Sequence, residues 1–247
     1  MSAAALLPVA SGGAVFVPLG PLGLAALLAA ALAWGAARHL RQGGALRPWH
    51  RASAMVIGAF ALVHVVAHLS ALAGPAVHQA VLDVLRRVYR HPVAESLLLA
   101  SALFQVGSGA ALLWRGRAQR RGAVAWLQAL SGGYLALFLL VHVSAVLQAR
   151  VQGLDTNWYF AAAGLHVPLW SGFFAPYYAL AVAALGLHIG CALYWNGVPA
   201  RARWALGLCS VAGVWLGVLL VLALAGVWPA PPLEVPLPYR APFLRGV

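Results

Sequence analysis

The sequence contains no lysine, and all sixteen of its cations are arginines, a bias that suits a GC-rich genome. Carboxylates are scarcer still: Asp83, Glu95, Asp155 and Glu234 are the only four in 247 residues. Cysteine is limited to Cys191 and Cys209. No Cys-x-x-Cys or Cys-x-x-Cys-His pair exists, which excludes both covalent c-type haem attachment and a thiolate zinc site. Charge of either sign makes up only 8% of the chain, against roughly a quarter in soluble domains. What replaces it is apolar: 63% of residues are hydrophobic and the mean hydropathy is +0.87. A soluble fold has nowhere to hide that much apolar surface, whereas lipid solvates it.

The formal charge of +12 would suggest a nucleic-acid partner in a soluble protein. Here the arginines lie between hydrophobic runs and serve as topology determinants, so no nucleic acid is expected. A spanning helix needs about 20 mostly apolar residues. Six windows qualify, near 19–38, 52–73, 92–114, 123–149, 176–197 and 203–228. The N-terminus lacks the cationic region of a secretory signal, so the first window is expected to remain as a helix. Ala76–Arg90 alternates apolar and polar residues like a short amphipathic helix at the membrane surface. The 150–175 connection carries Trp158, Tyr159, Phe160, Trp170, Phe173 and Phe174, rings that favour the headgroup level. The tail from Trp228 holds six prolines and is expected to be extended rather than helical. Arginines outnumber in the connections after the first, third and fifth spans, which places that side in the cytoplasm and both termini outside.

Four histidines fall within spans: His64 and His68, His142, and His188. Ionisable groups at bilayer depth usually face the protein interior and serve a function. Neutral imidazole is an axial ligand of non-covalent haem, and two helices of a bundle can clamp one iron. Interhelical hydrogen bonding is the other use of such a residue, and His68, one turn from His64, suits it. His39, His50, His78, His91 and His166 fall near the interfaces and are expected to be solvated or interfacial. A metal transporter would set carboxylates beside its histidines, and no acid sits mid-span, which argues against a central ion or proton path. Measured from the window ends, His64 lies about 18 Å deep, His142 about 24–28 Å, and His188 about 18 Å from the opposite face.

From Trp49 to Trp228 the chain resembles the cytochrome b membrane-anchor subunit of succinate dehydrogenase and fumarate reductase, the succinate:quinone oxidoreductases. His50-Arg51-Ala52-Ser53-Ala54 is similar to the opening of that family's first core helix, with His64 about three turns on. Trp126-Leu127-Gln128-Ala129-Leu130-Ser131-Gly132, followed by His142, resembles its fourth helix, and Pro176-Tyr177-Tyr178 through His188-Ile189-Gly190 its fifth. Two departures stand out. The family's second core helix carries a histidine where this chain has Gly109, and the 19–38 span has no counterpart there.

The resemblance implies an all-α integral membrane protein: a five-helix haem-binding core at 49–228, an N-terminal extension at 1–48 with one further span, and a Pro-rich tail at 229–247. It implies a haem b anchor that passes electrons between quinone and flavoprotein and iron–sulfur subunits on the cytoplasmic face of a bacterial inner membrane. On this resemblance the haem ligands would be His64, His142 and His188, with the iron between His64 and His142. His50, Arg51 and Ser53 are the quinone residues, and Asp83 and Glu95 a proton relay near the outer face. Asp83 could instead simply pair with Arg87 at i+4. Two haems would need four ligands from four helices, and histidines occur on three; Met1 and Met55 are no substitutes. One haem is therefore favoured over two. The competing readings are a haem b anchor of another quinone-linked oxidoreductase, and a haem-free anchor or transporter.

Overall fold

A computed structural model describes residues 21–41, 45–227 and 234–244. Nine α-helices and no strand occur among them: α1 Pro21–Arg41, α2 Arg47–Leu69, α3 Pro75–Tyr89, α4 Pro92–Arg115, α5 Ala123–Val151, α6 Trp158–Ala162, α7 Pro168–Asn196, α8 Pro199–Ala225 and α9 Leu237–Leu244. Six of these, extended by a 3-10 turn after α2, are long and apolar enough to cross a membrane. The chain is an all-α, multi-span membrane protein.

Proline sets most of the starts. α2, α3, α4, α7 and α8 each carry one in the first turn, where the missing N–H has no intrahelical partner to lose. This moves two boundaries. The second span begins at Arg47 rather than 52, and the fifth at Pro168 rather than 176. Pro176, read from sequence as a helix start, lies inside α7. The 150–175 connection is correspondingly short and contains α6 and a 3-10 turn at Ala163–His166. α8 ends where Gly226 adopts φ +67°, a left-handed cap that other residues resist.

The helices close into a ring in which α2 packs on α4, α4 on α5, α5 on α7, α7 on α8 and α8 on α2. α1 lies outside it against α4, joined through Ala36, Leu46 and Phe104. One end of the ring carries the arginines after α1, α4 and α7. The other is crossed by α3 and plugged by α6. Trp158, expected among the headgroup-level rings, is only 2% exposed and anchors the core cluster at that end with Ala71, Val182, Leu220 and Leu224. The expectation of a wholly extended tail is overturned: Leu237–Leu244 is helical despite Pro242 within it. Packing compensates for the lost backbone bond. Tyr239 and Phe243 lie on the Trp158 cluster, Trp170 donates to the Phe243 carbonyl at 3.0 Å, and Asn157 donates to the Tyr239 hydroxyl at 3.1 Å.

The tightest seam is α7 on α8, and it is built from glycine. A Cβ on Gly186 would strike the Cys209 carbonyl and stand 2.8 Å from Gly213 Cα, so backbone meets backbone there. Small-residue seams are how spanning helices associate when apolar burial gives them no preference over lipid. Gly186→Ala is expected to destabilise the protein by about 1–3 kcal/mol through overpacking. Gly207→Ala, where the added carbon meets nothing within 4 Å, should be neutral. Thermal unfolding in detergent compares the two, and equal midpoints would contradict the seam.

Candidate functional site: two polar layers in the ring

Because α2 starts at Arg47 and α5 at Ala123, His64 and His142 stand about 26 and 28 Å from the arginine-rich end, at one level. α2 and α5 do not pack along their length, yet these two rings meet across the interior with centroids 6.0 Å apart and planes at 69°. Each is braced by a phenylalanine one turn back on its own helix: Phe60 stacks on His64 at 5.2 Å and Phe138 on His142 at 5.1 Å. Neither ring exchanges a hydrogen bond with any described residue. His50, His68, His78, His166 and His188 all do.

The centroid spacing is compatible with a bis-imidazole iron. A metal held by histidine lies about 2 Å from the ring nitrogen, and the centroid lies roughly 1 Å further back. Two rings on one iron therefore stand on the order of 6 Å apart. Two imidazoles at this depth without hydrogen-bond partners suit a pair reserved for a metal.

His68 and His78 continue the file toward the α3 end. The His68 ring is edge-on to His64 at 4.6 Å, and His78 Nε2 lies 3.2 Å from His68 Nδ1. His78 was expected to be solvated or interfacial, and it is instead fully buried within the protein. The cause is that His78 and Leu82, four residues apart, share the inward face of α3. Burial, together with the nearby Arg86 guanidinium, pushes the His78 pKa down to about 4. The unfolded chain, with an ordinary histidine near 6.5, then binds the extra proton between those values. His78 contributes stability fully above about pH 6.5, and the contribution is lost as pH falls toward 4. Thermal melts from pH 7.5 to 4.5 should fall more steeply for wild type than for His78→Gln. Parallel curves would contradict the assignment.

The second layer lies near the arginine-rich end. His188 Nδ1 sits 3.2 Å from the Gln128 carbonyl and 3.1 Å from Ser131 Oγ. A carbonyl only accepts, so Nδ1 carries the proton and Nε2 keeps its lone pair, the tautomer of a metal ligand. Gly132 makes room for this ring: a Cβ there would stand 2.9 Å from His188 Cε1. The other imidazole of this layer is His50, close enough for the two charges to interact. His50, expected at a solvated edge, is half-buried, with Cε1 3.4 Å from where a Gly109 side chain would begin. Its Nε2 accepts from Gln105 at 3.0 Å and its Nδ1–H donates to Ser108 at 2.8 Å. Ser53 is buried and donates to Gln105 Oε1 at 2.5 Å. Of the three residues expected at a quinone, His50 and Ser53 thus turn inward into one network, while Arg51 is exposed. Gln105, Ser108, Gln128 and Ser131 complete the layer; polarity within apolar spans marks all four in the sequence, and Gln128 and Ser131 also fall in the stretch that carries the resemblance.

The relay residues separate. Glu95 is buried near the start of α4, with both oxygens engaged by Arg150 of α5. Asp83 is exposed on α3 and pairs with Arg86 at 3.7 Å rather than Arg87, while Gln79 donates to it at 2.7 Å. His166, also expected to be solvated or interfacial, is half-buried and donates to the Leu224 carbonyl at 3.2 Å. No group of three or more His, Cys, Asp or Glu side chains gathers as a metal site among the described residues. No protein-family profile, curated protein or solved structure matches the chain.

Proposed function

We propose that this chain is the membrane anchor and electron-transfer subunit of a succinate:quinone oxidoreductase-like complex, with one b-type haem between His64 and His142. The observation that carries the reading is the facing pair itself, 6.0 Å apart at one level of the ring and without hydrogen-bond partners. When bound, a haem iron supplies one-electron ferric/ferrous chemistry in the bilayer interior. His64 and His142 would hold it, and Phe60 and Phe138 fix the planes of the two rings from behind. His188 has a ligand's tautomer, but the other imidazole of its layer, His50, has both ring nitrogens taken by Gln105 and Ser108, which supports one haem rather than two.

The polar layer of His50, Ser53, Gln105 and Ser108 supports a quinone site at the arginine-rich end. Preorganised donors favour a carbonyl oxygen whose charge rises on reduction. Because His50 and Ser53 are already paired, a quinone would take its hydrogen bonds by exchange within this network, with Arg51 at the rim. By the positive-inside rule this end would face the cytoplasm of a bacterial inner membrane, where flavoprotein and iron–sulfur subunits would dock. The test is anaerobic addition of a short-chain quinol to the purified protein. Rapid appearance of a reduced haem spectrum, slowed at least tenfold in Gln105→Leu, is expected. A haem that the quinol leaves oxidised would overturn the quinone assignment.

A further inference from the structure

A groove of about 400 Å³ opens between α4 and α5 at the arginine-rich end, lined by Leu113, Trp114, Arg117, Arg120, Trp126 and Leu130. Its floor is aliphatic and its rim is two arginines, each held in place. Arg117 lies 4.0 Å from the Trp114 ring and donates to the Trp114 carbonyl at 2.7 Å. Arg120 lies 4.9 Å from the Trp126 ring and donates to the Leu113 carbonyl at 3.0 Å. A guanidinium has five N–H donors, so both retain several free ones on an already ordered head. Arg115 and Arg121 flank them.

Nothing in the chain balances this charge. The sequence holds no acid between Glu95 and Asp155. Among the described residues, ion pairs form only at Arg86, Arg150 and Arg240. A carboxylate-rich protein surface would satisfy the rim but leave the aliphatic floor uncovered. A phosphate carrying acyl chains satisfies both, and basic pockets between spanning helices are known seats for such headgroups. We propose that this groove binds one anionic glycerophospholipid, its phosphate on Arg117 and Arg120 and an acyl chain along Leu113 and Leu130.

The test is native mass spectrometry of delipidated full-length protein titrated with phosphatidylglycerol, with phosphatidylcholine as the neutral control. The expected result is one tightly retained phosphatidylglycerol per chain. At about 1 kcal/mol per arginine, Arg117→Gln with Arg120→Gln should weaken retention roughly 30-fold. Arg201→Gln with Arg203→Gln, at the same end but outside the groove, should leave it unchanged. Ala110→Trp, which fills the groove and keeps every charge, should weaken it as well, and circular dichroism verifies that each variant is folded. Equal loss in the Arg201/Arg203 variant would reduce the effect to general surface charge and overturn the proposal. So would full retention by Ala110→Trp or by the Arg117/Arg120 variant. Inorganic phosphate at millimolar concentration should not displace the lipid. Displacement would mean a free-anion site instead, and displacement by an acidic peptide a protein-docking site.

Discussion

His64→Ala and His142→Ala are each expected to lower the haem content of the purified chain by on the order of 100-fold, a loss at least as large as removing a supporting contact to a metal ligand. The two effects should be equal, because an iron held by two imidazoles needs both. His68 is poorly placed to substitute for His64. Its Nδ1 is engaged by His78, and its ring stands edge-on to His64 rather than facing His142. His188→Ala should leave the haem in place, since that ring lies in the other polar layer with Ser131 and Gln128. Haem-to-protein ratios of the three variants decide the matter. A normal ratio in either His64→Ala or His142→Ala would show that the facing pair is not the ligand pair.

The second large effect concerns Glu95. Its side chain is 11% exposed and that of its partner Arg150 33%, and the pair ties α4 to α5 at the α3 end. Removing one partner of a fully buried pair costs about 3–5 kcal/mol, because the other charge is left uncompensated. Partial solvation of Arg150 reduces this, so Glu95→Ala should cost about 2 kcal/mol. Glu95→Leu with Arg150→Met should recover most of the loss, since the cost lies in the orphaned charge rather than in the missing bond. Thermal unfolding in detergent provides the comparison. A double variant no more stable than Glu95→Ala would contradict an ion pair as the source. The same variants bear on the expected proton relay. A Glu95 occupied by Arg150 acts first as a structural tie, and a selective fall in quinone turnover at unchanged stability would be needed to give it the relay role.

The six spans were legible because each is a long apolar window, whereas the closing of five of them into a ring with α1 outside is seen only in the structure. Their starts were less legible. Arg47–Arg51 and Pro168–Ala175 are too polar, aromatic or glycine-containing to register as bilayer-spanning, although a proline in the first turn marks both starts. α9 was hidden by Pro238 and Pro242, whose local cost is offset by contacts to Trp158 and Trp170 that lie about 80 residues away in sequence. Among the histidines, the His64–His142 pair followed from span and depth. The burial of His78 did not, because it depends on α3 folding back over the end of the ring. Yet the residue shares a helical face with Leu82, and that period was present in the sequence. The His50–Gln105–Ser108 network needed the structure outright, since its members are more than 50 residues apart and join only when α2 packs on α4.

The most direct test of the central claim is a pyridine haemochrome assay on the purified chain, set against protein concentration from amino-acid analysis, with a dithionite-reduced minus oxidised spectrum of the same sample. A facing His64–His142 pair, and a His188 whose layer-mate His50 is held by Gln105 and Ser108, predict sharp reduced α and Soret bands from one low-spin b-type haem per chain. A preparation without haem, from cells that make it in excess, would contradict the account at its root. Two low-spin haems would contradict the single pair and require His50 to give up its Gln105 or Ser108 bond to serve as a ligand with His188.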